Sequence, residues 1–218
     1  YSRSVGRPDF AMKLTGQQGS VRVGAFFATD PEAPDSTSDD FTMHAADPED
    51  PELEHVYETR RVLTTVARAQ VDISSKATLG AVVVERDWLG DGERVANNLG
   101  FGADGQAYLS KALNLESAWF GSVASDLNDQ ELSGYAGQTR VSWKTEDYRV
   151  FLYQQSVSDE FRSEAGFLTR HGFHRLMAKT DLYFNADHPW AREVSPGIWA
   201  DYYLDENGQV VDEILAAN

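Results

Sequence analysis

Cysteine is absent from this chain, which excludes a disulfide scaffold, thiolate metal sites and a cysteine nucleophile. No run of about 18 apolar residues occurs, so no membrane-crossing helix is encoded. Positive charge is scarce. Lys and Arg total 19 against 35 Asp and Glu over 218 residues, a net charge of −16. A surface of that sign repels phosphate backbones and argues against nucleic acid as a partner. The opening residues, Tyr1-Ser2-Arg3-Ser4, carry neither an initiator Met nor a signal-peptide pattern, as expected of a processed chain or a piece of a longer one.

Ten of the acidic residues lie between Asp30 and His55, with four of the seven prolines and no Lys or Arg. Such a composition buries too little apolar area to offset the entropy of ordering, so 30–55 reads as a solvated surface loop. Within it, Asp47-Pro48-Glu49-Asp50-Pro51-Glu52 lacks the spacing and the glycine of a calcium loop, which weighs against divalent-cation binding there.

The rest of the chain alternates apolar and polar residues, the signature of strands. Strands are expected over 19–29, 60–73, 77–86, 98–109, 113–123, 135–144, 148–155 and 173–184, with weaker ones over 9–16 and 197–204. In 60–73, Leu63, Thr65, Ala67, Ala69, Val71 and Ile73 share a side, and Thr64, Arg68, Gln70 and Asp72 the other. Ten strands of this length exceed the usual soluble strand and approach what a tilted strand needs to cross a bilayer. Their connections alternate short and long: 17–18, 30–55, 74–76, 87–94, 110–111, 126–132, 146–147 and 158–167. The loop 187–196 breaks that order. The last connection, Asp205-Glu206-Asn207-Gly208, reads as a tight hairpin with Asn-Gly in a primed turn. Short turns on one rim and long loops on the other suit an outer-membrane barrel.

The expected fold is therefore all-β: an antiparallel up-and-down meander forming part of a transmembrane β-barrel, a single region over 1–218. Arg68, Asp72, Arg86, Asp104, Glu116, Arg140, Lys144, Arg175 and Lys179 fall on the polar parity of their strands and are the candidate lumen-facing residues. A charge facing lipid near mid-membrane is costly, and charges away from bulk water should pair. The expected pairs are Asp72 or Asp104 with Arg68 or Arg86. Trp88, Trp119, Trp143, Tyr108, Tyr135 and Tyr148 fall mostly near strand ends, as in interfacial aromatic girdles, and fit half-buried core aromatics equally well.

No residue pattern points to catalysis, a cofactor or a metal. Gly100-Phe101-Gly102-Ala103-Asp104-Gly105 matches G-x-G-x-x-G, but the strand–helix context of a dinucleotide site is missing, and glycines in a barrel wall explain it better. His171 and His174 face opposite sides of a strand; His44, His55 and His188 lie in loops. A G-x-S-x-G elbow is absent. Lumen carboxylates leave a glycan- or lipid-acting hydrolase open, and alternation alone leaves a soluble β-rich carbohydrate-binding domain open.

Several segments in order carry a resemblance: Tyr1–Gly6, Leu14-Thr15-Gly16, Val23-Gly24-Ala25, Thr64–Arg68, Ser75–Gly80, Gly102-Ala103-Asp104 and, most distinctive, Asp159–Gly172. The chain resembles the C-terminal barrel region of bacterial proteins whose N-terminal domain is similar to a family-nine carbohydrate-binding module. That region is a domain of unknown function read as an outer-membrane β-barrel. The resemblance implies bacterial outer-membrane lipid as a partner, with a glycan ligand and envelope proteins as further partners, and supplies no catalytic residue. The chain departs from the family in a longer, more acidic 30–55 loop. It also ends at Leu215-Ala216-Ala217-Asn218 without a terminal aromatic, so further strands are expected to follow.

Overall fold

The computed structural model describes residues 8–33, 60–90, 93–125, 131–162, 171–188 and 191–217. They form strands and turns with no helix. In chain order the strands are β1 (Phe10–Gln18), β2 (Val21–Ala33), β3 (Arg60–Ser74), β4 (Ala77–Gly90), β5 (Glu93–Tyr108), β6 (Leu113–Ser125), β7 (Glu131–Lys144), β8 (Tyr148–Val157), β9 (Phe173–Leu182), β10 (Phe184–His188), β11 (Ala191–Val194), β12 (Gly197–Asp205) and β13 (Val210–Ala217). Eleven of them make one sheet in the order β1-β2-β3-β4-β5-β6-β7-β8-β9-β12-β13, and β10 and β11 form a separate hairpin. All pairings are antiparallel. The meander expected from alternation is the fold.

Four local expectations change. The connection expected over 87–94 shrinks to 91–92, because β4 and β5 stay paired as far as Gly90 and Glu93. Asp87, Gly90, Asp91, Gly92, Glu93 and Arg94 make this stretch read as loop. Yet Trp88 faces Ala96 across the pair and buries with it and Val62, and that burial extends the ladder. The expected loop 187–196 carries the hairpin β10–β11. The last turn has three residues between Asp205 and Gln209, with Gly208 at φ 77°, rather than a two-residue primed turn. The acidic segment begins as strand: β2 runs through Ala33, and Asp30 is 5% exposed. Residues 34–55 of that segment lie outside the described residues.

Cross-strand register fixes which side chains share a face. One face takes the even positions of β2 to β7, then the odd positions of β8, β9 and β12, as in the row Arg140, Tyr153, Met177, Asp201. The sheet curls toward this face: Arg68 on β3 and Asp104 on β5 reach each other over β4, at Gly80. It is the inner face. Its buried clusters, Val62/Trp88/Ala96 and Ala136/Val157/Phe161/Phe173, lie toward the end where the long connections join the strands.

Candidate functional site

All nine charged residues singled out by parity lie on the inner face, opposite Leu79, Phe101 and Leu115. Period-two geometry puts them there. Gly80 has no side chain to obstruct the Arg68–Asp104 ion pair at 2.7 Å; a Cβ there would stand 2.7 Å from the Asp104 carboxylate and 2.9 Å from the guanidinium. Asp72 pairs not with Arg68 or Arg86 but with Arg22, its neighbour on β2. Arg86 is 3% exposed, its guanidinium 5.2 Å from the centre of the Trp88 ring.

Glu116 and Arg140 join β6 to β7 at 3.2 Å. Asp181, 4% exposed, accepts from Arg149 at 2.6 Å and lies 3.3 Å from Lys179. Arg175 donates to Asp201 on β12 through Nε and Nη2, at 2.9 and 2.6 Å. Lys144 stands exposed at the end of β7. These pairs form a ladder of alternating sign around the inner face. Charge-assisted bonds of this kind hold neighbouring strands in register.

Aromatic rings separate the arginines. The Arg140 guanidinium lies 5.8 Å from the Phe151 ring and 6.0 Å from that of Tyr153. Arg175 lies between Tyr153 and Tyr203, at 5.6 and 5.1 Å. The Tyr153 hydroxyl donates to Gln138 Oε1 at 2.8 Å. Between the Arg68–Asp104 and Glu116–Arg140 pairs lies a polar depression of about 260 Å³, bordered by Gln70, Thr78, Gln106 and Gln138. The arrangement is a polar wall on which most formal charges lie beside one of opposite sign.

The outer face is the reverse. Ile73, Leu79, Val83, Phe101, Trp119, Leu152 and Ile198 are between 40% and 66% exposed. Of the aromatics read as a girdle, Trp119, Trp143, Tyr135 and Tyr148 are on this face. Trp119 stacks with Tyr135 at 6.5 Å, and Trp143 meets Tyr148 edge-on at 5.7 Å near the short turn. Trp88 departs from that reading: it is on the inner face and fully buried. Tyr108 also has inner-face parity.

The G-x-G-x-x-G segment runs inside β5, and a Cβ on Gly102 would overlap the ring of Phe120 across the strand pair. Close cross-strand packing explains that glycine. His174 Nδ1 lies 2.8 Å from Ser156 Oγ on the outer face, and His171 lies before β9. Among the described residues no group of three His, Asp or Glu is placed to hold a metal. His44 and His55 lie outside the described residues. Parity alone did not single out Arg22, Arg149, Asp181 and Asp201 as ladder members. The first three already fall on polar positions, and Asp201 needed β12 placed beside β9.

No protein-family model matches the chain, and no curated protein matches it in sequence. Among solved structures, the toluene transporter TodX of P. putida is similar over 95% of this chain and 70% of its own, at 10% identity and a TM-score of 0.35. A likeness of that size assigns no residue a role.

Proposed function

We propose that this chain is part of a bacterial outer-membrane β-barrel. Its outer face lies against lipid, and its inner face lines an aqueous lumen that passes or holds small polar solutes. The observation that carries this reading is the exposed apolar face. It extends across the sheet from Val21 and Val23 on β2 to Leu215 on β13, which is 69% exposed, and among the described residues no second layer covers it. Soluble monomers rarely expose contiguous apolar patches beyond a few hundred Å². In hydrocarbon the same face is at home, and the paired charges opposite suit a lumen. A soluble carbohydrate-binding domain would instead bury its apolar faces. The motif resemblance to a bacterial barrel region supports the same location, and a glycan is the solute class it suggests.

Single-tryptophan variants test the reading. In vesicles whose acyl chains carry bromine, Trp119 and Trp143, 40% and 47% exposed, are quenched, while Trp88, at 0%, is not. Trp119 and Trp143 fluorescence unaffected by the brominated chains would overturn it.

A further inference from the structure

We infer that Ser158–Arg162 is an inward strap that narrows the lumen near its long-loop end and so sets the size of what passes. This rests on the lumen reading above. Beyond Val157 the chain folds onto the inner face instead of leaving the sheet. The Ser158 N–H donates to the Tyr135 carbonyl at 2.9 Å, and the Phe161 N–H closes a turn on the Ser158 carbonyl at 3.3 Å. Phe161, 6% exposed, packs with Ala136, Val157 and Phe173.

The strap crosses the wall through positions that share the inner face. It passes Gly134 on β7, where a Cβ would overlap the backbone of Phe161. On β6, Ser122 Oγ accepts the Arg162 N–H at 3.0 Å, and on β5 the Asn98 amide donates to the Arg162 carbonyl at 3.3 Å. From β8 to β5 is three strand spacings, about 14 Å at ~4.8 Å each. The near end is tied to the β12–β13 hairpin, where the Asp159 N–H donates to Glu206 Oε1 at 2.8 Å. A connection that merely joined β8 to β9 had no need to reach β5. Bonds to Ser122 on β6 and Asn98 on β5, with the close passage at Gly134 on β7, hold this one against the inner wall.

The test is single-channel conductance, in planar lipid bilayers, of the complete barrel of which this chain is part. Phe161→Ala removes the strap's anchor and Gly134→Val pushes its backbone from the wall. Each raises conductance about twofold or more, because a segment some 5 Å wide leaves the lumen. The chain has no native cysteine, so Ser122→Cys with Arg162→Cys forms one defined disulfide. Added to Phe161→Ala, it restores the wild-type conductance until it is reduced. Heat-modifiable migration on a gel establishes that each variant is folded. Wild-type conductance in both folded strap variants, or no disulfide between 122 and 162, overturns the strap. Conductance absent from every variant while Trp119 and Trp143 remain quenched by lipid also overturns it, leaving the membrane location intact. Absence of that quenching removes the lumen reading and the strap with it.

Discussion

An arginine placed on the outer face at mid-height tests the membrane reading at one residue. On β3 the outer apolar run extends from Leu63 to Ile73, ten steps of ~3.3 Å or about 33 Å. At a tilt of about 40° that spans ~25 Å, the height of a barrel's lipid-facing band. Ala67 lies near its centre, exposed, with Ala25 and Val83 as cross-strand neighbours. Ile73, 65% exposed, lies beside the short turn. In lipid, Ala67→Arg should cost about 2–4 kcal/mol and Ile73→Arg about 0–1 kcal/mol. Thr78→Arg on the inner face, opposite Asp72, should change stability by less than about 0.5 kcal/mol, as at an ordinary surface site. The assay is reversible urea unfolding in phospholipid vesicles, followed by tryptophan fluorescence. If Ala67→Arg costs no more than Ile73→Arg, the outer face does not meet hydrocarbon and the reasoning fails.

Asp181→Ala removes the carboxylate shared by Arg149 and Lys179. Breaking a fully buried pair costs about 3–5 kcal/mol, but these cations are 38% and 34% exposed and can rehydrate, so about 2 kcal/mol is expected in the same urea titration. A loss below about 0.5 kcal/mol would mean that the ladder does not stabilise the sheet. His171 lies next to the strap, and partial burial of its ring, then the charge of Arg162, lowers its pKa. The fold therefore favours the neutral ring; this contribution is present above the unfolded value of about 6.5 and is lost as pH falls through the lower folded value. Acidification should loosen the strap and raise conductance, His171→Gln should abolish that dependence, and a pH-independent wild type would refute it.

Alternation along each segment was enough to set out the strands, their meander and the polar and apolar side of each, because side-chain direction in a strand is set by the backbone's own period of two. Gly80 was visible as a glycine, but its use was not. Only stacking β3, β4 and β5 shows that Arg68 and Asp104 meet over it. The same holds where composition misled. Trp88 sits among charged residues that read as loop, and its contacts with Val62 and Ala96 come from other strands. The strap was legible as a distinctive segment, Asp159 to Gly172, without any hint of direction. Its inward course depends on Gly134, Ser122 and Asn98, each on a different strand. Local periodicity fixes what one strand presents to each side. Pairing across two strands, burial at a strand end and the path of a connection are set by residues far apart in sequence, and those the tertiary structure decided.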